Sequence, residues 1–485
     1  MRQSFLTVLF MNLLTPGKIY GAFVTALILV SVAVHADVAD ITARPSPEWL
    51  RDGVIYEIFP RDFSSVGNFN GITAKLDDLH SLGVNILWLM PIHPIGEKFR
   101  KGEFGSPYSI KDYYAIDSIY GTPDDFKKLV AEAHKRGMKV IMDVVANHTA
   151  WDSIMMKYPD FYKKDAGGKI ISPVPDWSDV AALNYTNVVL RQYMITMLRY
   201  WIQTYDVDGF RCDSAAMVPT DFWEQARAEL TGVKPDIIML AEASKPELLT
   251  NAFDIDYSWP LLGTVNDIFT RGAPASDIRR SWYQSRREFP KDALHMRISD
   301  DHDEARAINR YGIKGALAAS ALMFTLDGVP LIYNGMEIGD ANESGGGALF
   351  EKMSISWDTP EHPELRPIYH DLIQLRHEYP VLCDSRVNWV HNSDETNLVS
   401  FMRTDDKDEL LVVINFSDRP ISGNVDLKKI DGFTRVKVSD VQNADDSTLP
   451  IFHLSGFEWR IYHRTAISSQ PLADLESKKT QLERR

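Results

Sequence analysis

Short, almost continuously apolar segments alternate with helix-forming segments from residue 53 to about residue 378 of this 485-residue chain. Strands that are apolar on both faces are typical of a parallel sheet covered by helices. Eight such segments occur, and that number predicts an α/β fold with a closed (β/α)8 (TIM) barrel over residues 49–378, rather than an open sheet. The strand-like segments are 54–59, 84–90, 139–143, 207–213, 237–242, 253–257, 294–298 and 330–333. The clearest helix-like segments are 123–136, 188–205, 221–230 and 314–324.

Two regions depart from this alternation. Residues 148–185 lack a helical pattern and are too long for an ordinary connection, so we expect either a small inserted domain or a functional flap. Beyond Arg376 the helical pattern stops, and turns rich in Asp, Asn, Gly and Ser separate strand-like runs, which predicts an all-β domain over residues 379–465. These runs are 397–403, 409–416, 434–438 and 457–462. The polar residues 466–485 are expected to form a disordered tail.

The N-terminus has the pattern of an export signal. Residues 19–36 contain no Asp, Glu, Lys or Arg, follow Lys18 and end in Val34-His35-Ala36, a small-residue cleavage sequence. We therefore expect residues 1–36 to be a signal peptide and the protein to be secreted or periplasmic. An uncleaved membrane anchor is the alternative, since 18 residues are close to the shortest helix that spans a bilayer.

Composition excludes several classes of function. With 52 basic and 67 acidic residues the formal net charge is −15, so the chain has no basic excess with which to bind a nucleic acid. Its two cysteines, Cys212 and Cys383, form neither a disulfide scaffold nor a zinc cluster, and we expect both to be buried free thiols.

Ionisable residues end four of the predicted strands. They are Asp143 with His148 just beyond it, Asp213, Glu242 and the group at 300–303. Burying any one of these charges costs free energy, so a structural ion pair would explain each of them singly. In a (β/α)8 barrel, however, the carboxyl ends of all strands meet at the face that carries the active site. Four such ends together indicate a catalytic site.

The segment Gly209-Phe210-Arg211-Cys212-Asp213 suggests a role for its carboxylate. Side chains alternate along a strand, so Arg211 and Asp213 lie on the same face. We expect the guanidinium to lower the pKa of Asp213 and keep it ionised, as a nucleophile requires. Glu242 ends the apolar run 237–241, so its pKa should be raised, as a general acid requires. One carboxylate of each kind suits retaining glycoside hydrolysis.

These segments resemble the short motifs of the α-amylase family, glycoside hydrolase family 13. Residues 143–148, 209–213, Glu242 and 301–303 are similar to its four motifs, and they occur in the family's order. Residues 108–113 and 120–122 also fit the stretch that follows the second strand. The likeness extends from about residue 49 to 463, with 148–185 at the place of the family's B domain and a C-terminal β-sandwich at the place of its domain C.

The resemblance implies a role for each residue of the site. Asp213 would form a covalent glucosyl-enzyme intermediate, Glu242 would act as general acid and base, and Asp303 would hold sugar hydroxyls and stabilise the transition state. The implied substrate-binding residues are Tyr108, His148, Arg211 and His302. The implied reaction is hydrolysis of α-1,4-glucosidic bonds in starch-derived oligo- and polysaccharides. This chemistry needs no cofactor, and the expected partner is the α-glucan, with no protein partner predicted.

Some positions depart from the family's pattern. Asp301 stands where the fourth motif usually has Asn, which adds an acidic group beside Asp303. Residues 214–217 lack the Lys-His pair of many endo-acting members. Asn147 remains a candidate ligand for a structural Ca²⁺, with Asp176 or Asp179 as its partner, but the ligand set is depleted.

These departures leave the specificity open. An α-glucosidase, a maltogenic or neopullulanase-like enzyme and a transglycosylase of the same family remain alternatives. From another class, a non-catalytic, membrane-anchored barrel ectodomain shares the fold. The complete set of Asp213, Glu242 and Asp303 favours an enzyme, because a barrel that performs no catalysis need not keep it.

Overall fold

The structure, a computed structural model, describes residues 38–342, 345–439 and 449–466. The predicted signal peptide, and the predicted tail apart from residue 466, lie outside these residues. Among the helices of the described ranges, none has the length and apolar character needed to cross a bilayer.

All eight predicted barrel strands are present, and they close into one parallel barrel in chain order. The predicted (β/α)8 barrel is therefore confirmed. Two further strands, β4 and β5, lie in the inserted segment. The strands up to the end of the barrel are β1 (Ile55–Ile58), β2 (Ile86–Leu89), β3 (Lys139–Val145), β4 (His148–Ala150), β5 (Val180–Ala182), β6 (Gly209–Asp213), β7 (Ile238–Ala241), β8 (Ile255–Tyr257), β9 (His295–Arg297) and β10 (Val329–Tyr333).

The barrel interior is filled by a cluster of apolar side chains from alternate strand positions, including Ile55, Trp88, Ile141 and Leu240. The other strand face packs against the surrounding helices, which explains why the strands are apolar on both faces. Strand β6 begins at a glycine because its neighbour is very close. A Cβ atom on Gly209 would lie 2.6 Å from the carbonyl oxygen of Ile238 in β7.

The helices surround the barrel, and the four predicted helical segments are confirmed. The last of them, α10, is kinked at Gly312, which has φ 70°, and the part after the kink corresponds to the predicted segment 314–324. The helices of the described residues are α1 (Glu48–Arg51), α2 (Phe69–Ala74), α3 (Leu76–Leu82), α4 (Pro123–Lys135), α5 (Val188–Tyr205), α6 (Thr220–Val233), α7 (Leu248–Asn251), α8 (Trp259–Arg271), α9 (Ser276–Glu288), α10 (Ala307–Thr325) and α11 (Leu365–Glu378).

The inserted segment follows β3 and has little regular structure. Its strands β4 and β5 pair antiparallel, and two short 3₁₀ turns, Ile154–Lys157 and Pro159–Phe161, lie between them. Because β4 starts three residues after β3 ends, the insertion is anchored at the carboxyl end of the barrel. It can therefore form one wall of a site there.

The C-terminal region is all-β, as predicted. A five-stranded sheet has the order β11-β12-β13-β17-β15, and β14 pairs with β16 in a second sheet. Apolar residues of both sheets, including Leu411, Val413, Phe452 and Leu454, form a common core. The strand predicted at 434–438 is shorter than expected. The strands are β11 (Asn388–Trp389), β12 (Leu398–Thr404), β13 (Asp408–Asn415), β14 (Ile421–Asn424), β15 (Thr434–Arg435), β16 (Ile451–Leu454) and β17 (Trp459–Thr465).

Candidate active site

A cavity of about 360 Å³ opens at the carboxyl ends of the barrel strands. It is bounded by the barrel on one side and by the insertion and the loops after β2 and β10 on the others. Six of the seven predicted catalytic and substrate-binding residues line it, and the seventh, Arg211, lies directly behind them. The six are Tyr108, His148, Asp213, Glu242, His302 and Asp303.

Arg211 connects the carboxylates of the site, and its side chain is fully buried. Its Nη1 donates to both oxygens of Asp143 at 3.0 Å and lies 3.5 Å from Asp213 Oδ1. Its Nη2 lies 3.2 Å from Glu242 Oε2, and its Nε donates to the Tyr257 hydroxyl at 3.2 Å. One guanidinium therefore contacts three carboxylates, and the predicted proximity of Arg211 and Asp213 is confirmed.

The pKa of Asp213 differs from the prediction made from the sequence. Burial raises the pKa of Asp213 to about 7. Arg211 opposes this shift, whereas the negative charges of Asp143 and Asp303 add to it. Arg211 acts in the predicted direction, but the expectation that it holds the pKa of Asp213 low enough to keep it ionised is wrong. One guanidinium is shared among three carboxylates that have little contact with solvent, so burial outweighs it.

The predicted direction for Glu242 is confirmed. Burial raises the pKa of its carboxyl to about 7, with Arg211 opposing the shift and Asp213 adding to it. The backbone N–H of Ser214 donates to Glu242 Oε2 at 2.5 Å. Ser214 has φ 46°, a left-handed conformation that is uncommon for residues other than glycine and is often found at functional sites. The turn after β6 thus positions the carboxyl that ends β7.

His302 lies in a chain of charged and polar groups. Its Nδ1 is 2.5 Å from Glu57 Oε1, and its Nε2 is 2.6 Å from the Tyr108 hydroxyl. The rings of Tyr108 and His302 stack at a centroid distance of 5.4 Å. Burial disfavours the imidazolium, but the negative charges of Asp303 and Glu57 outweigh burial and raise the pKa of His302 to about 10. His302 is therefore a cation at neutral pH.

His148 has the opposite protonation state. Burial lowers the pKa of its imidazole to about 4, so the ring is neutral at pH 7 and offers one N–H donor and one acceptor nitrogen. The ring lies 5.5 Å from that of Trp177, a half-buried residue of the insertion that also lines the cavity. A neutral imidazole and an aromatic face together suit a sugar, which has both hydroxyls and an apolar ring surface.

Asp303 and its neighbour Asp301 play different parts. The side chain of Asp303 is 40% exposed, and its Oδ2 lies 3.4 Å from His302 Nε2. Asp301 is buried, and its Oδ1 accepts the backbone N–H groups of Asp303 and Glu304 at 3.1 and 3.0 Å. The residue that departs from the family's pattern therefore holds the turn that presents Asp303 to the cavity.

Reasoning from the sequence missed three residues that shape this site. Glu57 lies in the middle of β1 and binds His302, while Trp88 and Tyr257 place their rings 5.2 and 5.7 Å from the Arg211 guanidinium. A glutamate inside the apolar run 54–59 was the available signal, because a carboxylate buried in a strand needs a cationic partner. The two rings carried no such signal, since aromatic residues are ordinary in barrel strands.

Asn147 and Asp179, two of the residues proposed for Ca²⁺, lie beside the strand pair of the insertion. Asn147 and Asp179 flank the pair β4–β5, in which His148 is opposite Ala182 and Ala150 is opposite Val180. They therefore lie at opposite ends of this ladder, about 13 Å apart along the strand direction. This register gives no support to a Ca²⁺ ion shared by Asn147 and Asp179, and calcium binding stays a prediction.

Asp176 and Asp179 are both bound by a cationic side chain. Lys101 Nζ lies 3.0 Å from Asp179 Oδ1 and donates to the carbonyl oxygen of Asp176 at 2.9 Å. Within the described ranges, no group of three or more His, Cys, Asp or Glu side chains could hold a metal ion. No step of the chemistry is assigned to a calcium ion.

The two thiols lie outside the site. Cys212 and Cys383 are both free and buried, as predicted. Burial raises the pKa of both thiols, so they remain protonated at neutral pH and are not nucleophiles.

Comparison with known families identifies this arrangement. The family model described as the α-amylase catalytic domain matches residues 54–169 and 175–423, which is most of the chain. The chain belongs to the α-amylase family. This confirms the resemblance drawn from the four motifs.

Relatives in the α-amylase family are distant but extensive. The chain is 28% identical over 408 residues to the α-amylase MalA of Haloarcula japonica. The aligned region covers 80% of this chain and 59% of that protein. It is 27% identical over 441 residues to the intracellular maltogenic amylase of Bacillus subtilis, covering 81% of this chain and 73% of that enzyme. The chain thus spans less than two thirds of the first of these relatives and about three quarters of the second.

Solved structures of α-amylase family members share the fold. An α-amylase from Lactobacillus plantarum superposes with a TM-score of 0.78 at 32% identity, over 85% of this chain and 99% of that one. A maltogenic α-amylase from Thermotoga neapolitana superposes with a TM-score of 0.76 at 31% identity, over 86% of this chain and 100% of that one. The protein is a glycoside hydrolase of the α-amylase family, an enzyme that acts on the glycosidic bonds of a carbohydrate.

Proposed function

We propose that this enzyme cleaves α-1,4-glucosidic bonds of starch-derived oligo- and polysaccharides with retention of anomeric configuration. The observation that carries the proposal is the pair Asp213 and Glu242, which line one cavity and contact the two Nη atoms of a single guanidinium. Asp213 Oδ2 is buried and has no hydrogen-bond partner within the described part of the chain. Its lone pairs are therefore not used in a hydrogen bond, as a nucleophile requires.

The proposed reaction has two steps. Asp213 Oδ2 attacks the anomeric carbon while the Glu242 carboxyl gives its proton to the leaving glycosidic oxygen, so the glycosidic bond breaks as a glucosyl ester forms. Glu242, now a carboxylate, then removes a proton from water, and the water oxygen displaces Asp213 from the anomeric carbon. Asp303, beside the His302 cation, binds sugar hydroxyls and stabilises the positive charge that develops on the ring.

The protonation states of the pair set the active pH range. Both groups have pKa values raised to about 7, and they interact, so their protons leave in two steps that belong to the pair. The form that carries one proton is the active one, with Asp213 ionised and Glu242 protonated. Activity should therefore be greatest near neutral pH and fall on both sides.

Attack on short or cyclic maltooligosaccharides is a second candidate within the same chemistry. Several relatives are named maltogenic amylase or cyclomaltodextrinase, at 25–27% identity. Their names support maltose release and ring opening as alternatives to mid-chain cleavage of starch. The bond that is broken is the same in each case.

Product analysis tests both candidates. Purified enzyme is incubated with maltotriose, maltoheptaose, β-cyclodextrin and soluble starch, and product lengths are followed over time. Mixed-length products from starch indicate an endo-acting α-amylase, and maltose as the main product from all substrates indicates a maltogenic enzyme. Absence of turnover on every α-glucan would refute the proposed function. Proton NMR of the first product distinguishes retention from inversion.

We also propose that the protein is exported by its N-terminal segment. The support is the uncharged stretch 19–36 and the small-residue sequence that ends at Ala36. N-terminal sequencing of protein from the extracellular or periplasmic fraction should give Asp37 as the first residue. Recovery of the full chain in the membrane fraction would instead support an uncleaved anchor.

A further inference from the structure

Phe99, in the loop after β2, combines exposure with an unfavourable backbone conformation. It is 60% exposed, the most exposed of the large aromatic side chains in the described residues. Its φ is 62°, in the left-handed region that bulky side chains rarely adopt. Single exposed apolar residues are common, but strain that holds one in solvent points to a function for that side chain.

A second aromatic side chain, Trp151 of the insertion, contacts Phe99. Their rings meet edge to face, with a centroid distance of 6.0 Å and an interplanar angle of 87°. The Trp151 indole N–H donates to the carbonyl oxygen of Ser178 at 3.0 Å, which fixes the orientation of the ring. The pair is therefore preorganised before any ligand binds.

Close packing holds the loop that carries Phe99 against the insertion. A Cβ atom on Gly96 would lie 2.3 Å from the Cβ of Ala150, so only glycine allows this approach. The backbone N–H of Glu97 donates to Asp152 Oδ2 at 3.0 Å, and Lys111 Nζ bridges the carboxylates of both residues. Phe99 and Trp151 thus belong to one fixed surface, although they come from different segments.

This surface adjoins the catalytic cavity at two points. Phe99 is two residues from Lys101, which lines the cavity, so their Cα atoms are at most about 7 Å apart. The Trp151 indole is hydrogen-bonded to the backbone of Ser178, which lies between the cavity-lining residues Trp177 and Asp179. A chain that leaves the cavity past Trp177 and Lys101 would therefore pass close to the aromatic pair.

We propose that Phe99 and Trp151 form a distal subsite that binds glucosyl residues of an α-glucan chain beyond those held in the catalytic cavity. This inference rests on the proposed function and specifies it further, because the subsite favours chains long enough to reach it. The apolar face of a glucose ring packs on the aromatic surface. Beside it, the 72% exposed Glu97 side chain supplies acceptors for hydroxyls, and the Lys98 ammonium, 5.4 Å from the Phe99 ring centroid, supplies donors.

Binding to an inactive enzyme tests this subsite apart from catalysis. In an Asp213→Asn background, dissociation constants for maltotriose and maltoheptaose are measured by calorimetry with and without Phe99→Ala. We expect Phe99→Ala to weaken maltoheptaose binding about five- to tenfold and maltotriose binding about twofold or less, because only the longer chain reaches the ring. Phe99→Trp, which keeps an aromatic face, should restore the binding of the longer chain.

The matched control is Tyr283→Ala, which removes an aromatic side chain that is 48% exposed on α9. It should leave both dissociation constants unchanged. Equal weakening of the two oligosaccharides by Phe99→Ala, or no weakening of either, would overturn the distal subsite and leave the proposed function intact. If the Asp213→Asn protein binds neither oligosaccharide, the proposed function itself fails.

Discussion

The two ends of strand β6 carry aspartates with opposite properties. Asp208 precedes the strand at the amino end of the barrel, and Asp213 ends it at the carboxyl end. Both are at least nine-tenths buried, and in the sequence each simply flanks the same short strand. The pKa of Asp208 is held well below its usual range, whereas that of Asp213 is raised to about 7.

The difference comes from how many partners each carboxylate has. Asp208 Oδ1 accepts from Lys139 and Lys234 at 3.1 and 2.9 Å, and its Oδ2 accepts from His134 and the Val140 N–H at 2.7 and 2.9 Å. These bonds outweigh the effect of burial on its pKa.

Asp213, in contrast, shares the Arg211 guanidinium with two other carboxylates, those of Asp143 and Glu242. Arg211 Nη1 is 3.5 Å from its Oδ1, and its Oδ2 has no hydrogen-bond partner in the described residues. A buried charge with all its partners stabilises the fold, and one with too few is available for chemistry. The two ends of one strand therefore differ in the way that is general for this barrel, in which the amino end serves stability and the carboxyl end carries the chemistry.

The largest expected effect is on activity. Asp213→Asn should lower kcat at least about 10⁴-fold, since the amide cannot form the glucosyl ester. Asp208→Asn is the matched control and should keep kcat at 25 °C within about threefold, because Asp208 lies at the other end of the barrel. Initial rates on maltoheptaose measure both. Substantial turnover by Asp213→Asn would mean that another group is the nucleophile.

The second effect is on stability at the amino end. Asp208→Asn should cost about 3 kcal/mol at pH 7, because it leaves the ammonium groups of Lys139 and Lys234 without their buried carboxylate. A lowered folded-state pKa means that this stabilisation is present above the unfolded-state value of about 4 and is lost as the pH falls below it. Urea unfolding at pH 7 and pH 3 measures the difference. An equal cost at both pH values would contradict the ion-pair explanation.

At the carboxyl end of the barrel, the dependence of folding stability on pH should have the opposite sign. The raised pKa of Asp213 means that the folded protein loses stability as the pH rises from about 4, where the unfolded chain ionises, to about 7. Asp213→Asn should therefore be more stable than wild type at pH 8, by on the order of 2 kcal/mol, and equally stable at pH 4. Thermal unfolding at both pH values tests this. A lower melting temperature for Asp213→Asn than for wild type at pH 8 would show that Arg211 stabilises the ionised Asp213 more than burial disfavours it.

The smallest effect concerns the charge network around the catalytic end. Glu57→Gln removes one of the two negative charges that raise the pKa of His302, and should lower that pKa by about one unit. NMR titration of the His302 ring protons measures the shift. Glu337→Gln is the control, since Glu337 is another fully buried glutamate but bonds to Tyr56. An unchanged His302 titration in Glu57→Gln would remove Glu57 from the network.

The ordered catalytic motifs were predictable because they are local. Asp143, Asp213, Glu242 and Asp303 each lie at or beyond the end of an apolar run in the sequence, and the closure of the barrel brings such positions to one rim. The strand alternation also places Arg211 beside Asp213 without any knowledge of the fold. Family membership followed from the same short segments.

Other features depended on contacts between segments distant in sequence. The separation of Asn147 from Asp179 along the strand direction follows from the register of β4 and β5, which residue types do not encode. The hydrogen bond between Glu57 and His302 connects two residues that are 245 positions apart, one in the first barrel strand and one in the loop after the seventh. Phe99 gave no signal either, because a left-handed backbone conformation outside glycine is not visible in a sequence.

The sequence by itself determined the (β/α)8 barrel, the order of its domains and the acids that line its rim, since hydrophobic periodicity and strand-end position are local properties. Only the tertiary structure decided the charge state of those acids. Burial and the sharing of Arg211 among three carboxylates both depend on neighbours from several strands. Together they leave the pKa of Asp213 raised, whereas Arg211, two residues before it in the sequence, predicted a lowered pKa.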